Sequence, residues 1–148
     1  MNFSVTKNRQ PLDPSLYNWN EENRIFSTNE NGLVLDFSGL DNITFKTGSR
    51  CNFKTGSFCN FDTESHCNFI TVYRCNFTTG SNCNFTTGSD CNFTTGSDCN
   101  FTTRSNCTFK TEENCVIIRK DIFEVIKLKE KENHIKLNGC KIKGYERL

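Results

Sequence analysis

The sequence has 148 residues, enough for one domain, and its 18 Lys and Arg against 17 Asp and Glu give a formal net charge of +1. A charge so close to zero argues against nucleic acid or an anionic membrane as a partner held by bulk electrostatic attraction. No stretch approaches the ~20 apolar residues of a membrane span, and the first thirty residues hold no apolar run of a signal peptide, so we expect neither membrane association nor secretion.

Residues 1–34 lie outside the pattern that governs the rest of the chain. Pro11, Pro14 and several Asn predict mainly irregular structure, with one short helical turn opening at Pro14. A repeat structure needs its open end covered. We therefore interpret 1–34 as an N-terminal cap or a partly ordered arm.

Residues 35–118 repeat one eight-residue unit, whose cleanest form is Cys-Asn-Phe-Thr-Thr-Gly-Ser-Asp at 91–98. We number its positions 1 to 8 from the cysteine. Cysteine recurs every eight residues from 51 to 115, and phenylalanine recurs two places later from 53 to 109. The register extends to Leu35 and Phe37 on one side and to Phe123 and Val125 on the other. A fixed short period indicates a repeat architecture.

The unit predicts one short strand and one corner. Positions 1 to 4 alternate apolar and polar residues, so Cys and Phe should point inward while Asn and Thr point outward. Positions 5 to 8 are turn residues, although Val72 at the glycine position shows that a left-handed backbone is not demanded there. Stacked units give an all-β, parallel β-solenoid with strands ~4.8 Å apart. The predicted core ladder is Cys51, Phe53, Cys59, Phe61, Cys67, Phe69, Cys75, Phe77, Cys83, Phe85, Cys91, Phe93, Cys99, Phe101, Cys107, Phe109, Cys115 and Ile117.

The number of units in one coil follows from stacked charges. With two units per 16-residue coil, Lys46 lies over Asp62, which is favourable. With three units per 24-residue coil, Arg50 lies over Arg74, which is unfavourable. We favour 16 residues, so that the twelve units from Leu35 to Phe123 make six coils.

Residues 119–148 depart from the pattern. Val116, Ile117 and Ile118 are all apolar, which indicates coverage of both faces. Strands are predicted at 123–128, 134–137 and 140–142, the last two joined by Asn138 and Gly139 as a hairpin. We interpret this mildly basic segment, with nine Lys and Arg against five Asp and Glu, as a C-terminal hairpin cap.

The repeated Asn-Phe-Thr-Thr-Gly-Ser-Asp-Cys unit, closed by Cys-Val-Ile-Ile-Arg-Lys-Asp-Ile-Phe-Glu-Val-Ile at 115–126, resembles a group of octapeptide-repeat proteins of phages and large DNA viruses of aquatic microbes. The resemblance covers residues 43–128 and extends toward Tyr145. It implies a β-solenoid and a viral setting. It implies no activity and no functional residues.

The ten cysteines are expected to be free thiols. Without secretion, cysteines locked to a structural period are better explained as buried side chains than as disulfides or ligands of a soft metal. A spacing of eight offers no close cysteine pair of the kind that zinc sites use. We therefore predict no metal and no cofactor, and a reducing intracellular compartment (host cytosol) or a virion. The Asn-Phe-Thr sequons that the repeat creates from Asn76 to Thr102 are not expected to be glycosylated.

The sequence carries no recognisable catalytic constellation. His66 and His134 are its only histidines, and neither has a nucleophile and an orienting acid at a readable spacing. No glycine-rich phosphate loop leads from a strand into a helix. We predict no enzyme and no small-molecule substrate.

Two surface features suggest function. Phe58, Ile70, Val72 and Tyr73 break the polar pattern together and form a candidate contact patch for a protein partner or for self-association. The outward Asn and Thr residues form a regular polar grid similar to the ice-binding faces of some antifreeze proteins. The prediction is a non-enzymatic structural or protein-interaction module, with ice binding as the alternative. A rod that mimics nucleic acid is disfavoured, because residues 35–118 hold only eight acids against six bases.

Overall fold

The computed structural model describes residues 2–148, and within them every regular element is a β-strand apart from one 3₁₀ turn at Pro14–Leu16. The strands form two nine-stranded sheets, which we call sheet A and sheet B. In spatial order sheet A contains β2 (Gln10–Pro11), β1 (Ser4–Lys7), β5 (Leu33–Phe37), β7 (Asn52–Thr55), β9 (Asn68–Ile70), β11 (Asn84–Thr86), β13 (Asn100–Thr103), β15 (Cys115–Arg119) and β16 (Glu124–Leu128). Sheet B contains β3 (Asn18–Asn20), β4 (Ile25–Ser27), β6 (Thr44–Lys46), β8 (Asn60–Asp62), β10 (Asn76–Thr78), β12 (Asn92–Thr94), β14 (Thr108–Thr111), β17 (Asn133–Leu137) and β18 (Tyr145–Arg147).

Successive units alternate between the two sheets, and this confirms the parallel β-solenoid with 16-residue coils. Asn76 pairs in parallel register with Asn60 and Asn92, while the intervening Asn84 pairs with Asn68 and Asn100 in the other sheet. About six such coils stack along the axis. Charges therefore stack as the 16-residue spacing predicts, with Lys46 beside Asp62.

Phenylalanine rings from both sheets fill the space between them. Phe77 stacks on Phe61 and on Phe93 with ring centroids 4.8 and 4.9 Å apart, and it meets Phe69 of the opposite sheet edge-on at 5.2 Å. Both geometries are favourable for aromatic rings and add about 0.5–1.5 kcal/mol per pair beyond the burial of apolar area. The same two contacts recur at each coil, so the core is continuous along the rod.

The sheets are nearly flat. Stacked rings within one column differ in orientation by only 3 to 8° from Phe53 to Phe109. Adjacent strands in ordinary sheets are rotated by about 20–25°. Because each ring keeps its orientation from coil to coil, the strands that carry the rings rotate very little, and the outer faces of the rod are close to planar.

The corners differ from the prediction in two respects. The threonine at position 5, as in Thr55, is buried, and its hydroxyl donates to the carbonyl of the following residue at 3.3 Å. The left-handed residue of the corner is at position 8, where Asn82 and Asp90 have φ near +60°. Asn and Asp tolerate this conformation better than other non-glycine residues, which explains their use at position 8.

At several corners, glycine at position 6 provides space rather than a positive φ. A Cβ on Gly88 would lie 2.6 Å from the carbonyl oxygen of Val72 one coil away. A Cβ on Gly56 would likewise lie 2.7 Å from the carbonyl oxygen of Leu40. The close approach of successive coils therefore favours glycine at these corners, whereas Glu64, Val72, Arg104 and Glu112 occupy position 6 at others.

The N-terminal segment is more regular than predicted. β1 pairs antiparallel with β5, and β3 and β4 form an antiparallel pair in sheet B. Phe3 stacks on Phe37 at 4.4 Å and meets Trp19 edge-on, so aromatic side chains cover the open end of the core. These strands are only two to four residues long, which is too short for an alternating pattern to be recognised in the sequence.

The chain reverses after β15, and the repeat register ends there. β16 runs antiparallel to β15, so Ile126 and Leu128 face the core while Phe123 and Val125 are exposed. β17 and β18 pair antiparallel at the end of sheet B. The strand predicted at 140–142 is wrong: these residues form a turn in which Lys141 has φ +59°, and the hairpin partner is β18.

A buried arginine holds this end together. The guanidinium of Arg119 is fully buried and donates to Asp121 at 2.6 and 3.1 Å and to the carbonyls of Gly139 and Ile142. Burial alone raises the pKa of Asp121, but the hydrogen bonds and charge of Arg119 outweigh it and leave that pKa below its ordinary value. The pair ties the end of β15 to the turn that precedes β18.

The inward and outward positions should differ sharply in stability. Phe85 is buried between two stacked rings, so Phe85→Ala should lower the free energy of unfolding by about 3–5 kcal/mol. Thr86 points outward on the same strand, so Thr86→Ala should change it by no more than about 0.5 kcal/mol. Denaturant titration measures both, and equal destabilisation would contradict the inward assignment.

Candidate functional site

The cysteines of the repeat form two buried columns inside the rod. Residues 51, 67, 83, 99 and 115 lie at the entrance to sheet A, and residues 59, 75, 91 and 107 lie at the entrance to sheet B. Their thiols are free, and each has one or two backbone carbonyl oxygens within reach as acceptors, such as that of Ser57 at 3.5 Å from Cys59 Sγ. The thiols are hydrogen-bonded parts of the core.

Neighbouring thiols in a column also influence one another. Hydrogen bonding to Cys75 and burial both raise the pKa of Cys59 well above its ordinary range. Hydrogen bonding to Cys51 and Cys83, with burial, raises the pKa of Cys67 in the same way. Cys59 and Cys67 therefore stay protonated near neutral pH. Hydrogen bonding has the opposite effect on other members of the columns: the bond with Cys67 lowers the pKa of Cys51 to about 6, and the bond with Cys99 lowers the pKa of Cys115 to about 7. Among residues 2–148 no cluster of three or more His, Cys, Asp or Glu side chains is placed to hold a metal ion.

Cys140 differs from the nine cysteines of the repeat. It lies in the turn before β18 and is exposed. The prediction that all ten thiols are buried is wrong for Cys140, which stands outside the eight-residue register and so lacks a place in either column. It is the one cysteine of the chain that solvent reaches.

The two histidines are both exposed and lie in different parts of the rod. His66 is a corner residue with φ +63° before β9, and His134 lies on β17 opposite Lys110. An open cleft of about 560 Å³ beside His134 is lined by polar and charged groups that include Lys110, Glu112 and Arg147. A second open cleft of about 590 Å³ lies near the N-terminal end beside Lys46.

The outward asparagines form hydrogen-bonded ladders. On sheet A, Asn68 Nδ2 donates to Asn52 Oδ1 at 2.7 Å, and the chain of bonds continues through Asn84 to Asn100. On sheet B the same bonds join Asn60, Asn76 and Asn92. Each amide can satisfy a neighbour on both sides, because it carries a donor and an acceptor.

The alternation of units divides the regular Asn and Thr grid between two faces. The four consecutive Asn-Phe-Thr units place Thr78 and Thr94 on sheet B but Thr86 and Thr102 on sheet A. Each face therefore carries two adjacent threonines, and Ile70 or Asp62 follows in the next coil. The polar grid is regular but short on either face.

The predicted contact patch spans two successive coils, with Phe58 after β7 and the other three residues on or after β9. Phe58 and Tyr73 meet edge-on with ring centroids 5.7 Å apart, and the Arg74 guanidinium lies 5.7 Å from the centre of the Phe58 ring. Ile70 projects from the outer face of β9 and is 54% exposed, and Val72 follows at the corner with 47% exposed. The four residues thus lie at or beside the two neighbouring corners where the chain leaves sheet A, after β7 and after β9.

Exposed apolar side chains are confined to one side of the coils. We call the outer face of sheet A, with the corners that lead from it to sheet B, the sheet A side. All large hydrophobic residues exposed in residues 33–128 lie on this side or in the turn between β15 and β16 that extends it: Val34, Phe58, Ile70, Val72, Tyr73, Ile118, Phe123 and Val125. The others exposed in the described chain belong to the two end segments: Leu16, Ile142, Tyr145 and Leu148.

The sequence did not predict that four of these residues are exposed on the sheet A side. Val34, Phe123 and Val125 belong to segments predicted as caps or to the extended core register, and Ile118 was expected on a covered face but is 43% exposed. Sorting residues by the 16-residue period places Ile118 on the same outer face as Ile70. It does not place Val34 there, because β5 pairs with β7 two residues out of the predicted register: Val34 pairs with Asn52, and Leu35 pairs with Phe53 rather than with Cys51. Phe123 and Val125 required the chain reversal after β15, which no periodic signal reports.

Comparison of the chain with protein-family models, with curated proteins and with solved structures found no match. Within residues 2–148 no helix is long and apolar enough to cross a membrane. The geometry described above is therefore the basis for a functional proposal.

Thiol accessibility should separate the columns from Cys140. Native protein treated with a maleimide, without reductant, should gain one adduct by mass spectrometry, because nine of the ten thiols are buried and hydrogen-bonded. The unfolded protein should gain ten adducts, and a Cys140→Ser variant should gain none when native. Several adducts on the native protein would contradict the sealed columns.

Proposed function

We propose that this chain is a non-enzymatic structural or protein-interaction rod that binds a protein partner through the sheet A side. The observation that carries the proposal is the one-sided distribution of exposed apolar residues. Scattered exposed apolar residues are ordinary, but grouping on one side of a repeat structure indicates a contact surface. Repeat proteins commonly engage partners through such extended surfaces.

The composition of the sheet A side suits protein recognition. Phe58, Tyr73 and Arg74 contact one another at its exit corner. Aromatic residues and Arg are the side chains most often found at the energetic centres of protein interfaces. The flat outer face of sheet A supplies the surrounding polar surface, with amides already held in place by the Asn ladder.

The proposed setting is viral, and it is supported by the resemblance of residues 43–128 to octapeptide-repeat proteins of phages and large DNA viruses. Nine buried free thiols support a reducing environment, either the host cytosol or a virion assembled there. The proposal includes no catalysis, cofactor, metal or small-molecule substrate. Exposed histidines and mixed charges around the two clefts do not assemble a nucleophile with its base.

Ice binding is the second candidate. It is favoured by the planarity of sheet B and by the evenly spaced column of Asn60, Asn76 and Asn92 on its outer face. None of the strands that carry this column bears a large exposed hydrophobic residue. The two adjacent threonines on that face give only a small regular area. The sheet A side is therefore the better supported site of function.

A capture experiment with matched variants tests the proposal. The immobilised chain should retain a defined protein from virion or host extract at a fixed stoichiometry. Ile70→Asp should abolish retention, because it places a charge at the centre of the proposed contact, whereas Thr94→Asp on sheet B should not change it. Loss of retention with Thr94→Asp alone would contradict the assigned side, and thermal hysteresis without any retained protein would support ice binding.

A further inference from the structure

We propose that one partner of the sheet A side is a second copy of this chain, bound face to face across a two-fold axis that lies between the two faces and runs parallel to β9. This inference rests on the proposed function, because it takes the same side of the rod as the contact surface. It goes further in naming the partner and the register. Three features of the sheet A side carry it: planarity, the position of the apolar group, and the order of charges.

Planarity makes the face complementary to itself. The ring angles of 3 to 8° show that successive strands hardly rotate, whereas twisted faces touch over only a few strands. Flat sheets are unusual in proteins and are stabilised by stacking on another sheet or by side-chain ladders, such as the Phe and Asn ladders of this rod. A second copy offers a face of the same shape.

The apolar group lies at the centre of the face. Sheet A has nine strands, and β9, which carries Ile70, is the fifth of them. A two-fold axis along β9 places Ile70 against the partner's Ile70 and brings the two exit corners with Val72 and Tyr73 side by side. Isologous contacts of this kind build the common two-fold dimers.

The charges of the sheet A side select the antiparallel arrangement of the two rods. Within residues 35–118 this side carries Asp36, Asp41 and Asp90 against Lys54, Arg74 and Arg104. The axis parallel to β9 exchanges β5 with β13 and β7 with β11. Asp36 and Asp41 then lie at the level of the partner's Arg104.

The axis also brings opposite charges together at the levels of β7 and β11. Lys54 on β7 comes to the level of Asp90, which follows β11, on the second copy. Only Arg74 lies at its own level, and its guanidinium is directed over the Phe58 ring. If the two rods were parallel, each charge would instead lie at the level of the same charge on the second copy, and like charges repel.

The contact area predicts a reversible dimer. Nine strands ~4.8 Å apart and two to five residues long give roughly 500 Å² per copy, or about 1,000 Å² in total. This lies at the lower limit for a specific protein interface. We therefore expect dimer and monomer to exchange with concentration.

Sedimentation equilibrium tests the dimer directly. The mass should rise with concentration from 17.0 kDa toward twice that value. Lys54→Glu and Asp90→Lys should each raise the dissociation constant about tenfold or more, and the double variant should restore it, because the two charges exchange places across the axis. Lys110→Glu on sheet B is the matched control and should leave the constant unchanged.

A cysteine placed on the axis tests the register. In a Cys140→Ser background, Ile70→Cys should form a covalent dimer under mild oxidation, whereas Thr78→Cys on sheet B should not. Equal rates for the two variants, or a monomer at all concentrations, would overturn the inference. A strict monomer that still retains another protein through Ile70 would overturn only the dimer and leave the proposed function standing.

Discussion

The axial stacking of identical side chains at a 16-residue spacing is the constraint on which the structure depends. From Phe45 to Phe109, each phenylalanine of the core rests on its counterpart one coil away at 4.8 to 5.1 Å and meets the opposite column edge-on. Because the same contact recurs at each coil, neither strand twist nor register can drift without weakening it along the whole rod. Flat outer faces follow directly from this requirement.

Self-stacking also explains which residues the repeat uses. A side chain that meets its own kind on both sides must attract itself, and Asn does so because its amide both donates and accepts, as in the bond from Asn76 to Asn60 at 2.8 Å. Cysteine packs as a small apolar group whose thiol can also donate and accept. Charged residues repel their own kind, and where they occur in a column they alternate in sign, as at Lys46 and Asp62 or Asp36 and Lys54.

The strands, the inward Cys and Phe, and the 16-residue coil were predictable from the sequence, because each follows from a period and from stacked charges. The left-handed backbone at position 8 was not, since Arg74 and Phe58 occupy it as well as Asn and Asp. In the end segments, β16 and β17 were predicted close to their observed bounds, but the N-terminal strands and β18 were not, because those strands are short and carry no repeat. The one-sided distribution of apolar residues emerged only when alternate units were assigned to different sheets.

Electron paramagnetic resonance of paired spin labels tests the 16-residue stacking most directly, since the nine buried thiols leave only introduced cysteines to label in a Cys140→Ser background. Labels at Asn76→Cys and Asn92→Cys should sit on neighbouring strands ~4.8 Å apart and show strong dipolar broadening. Labels at Asn76→Cys and Asn84→Cys project from opposite faces and should show none. Broadening for labels at 76 and 100, with none for 76 and 92, would indicate a 24-residue coil and contradict the account.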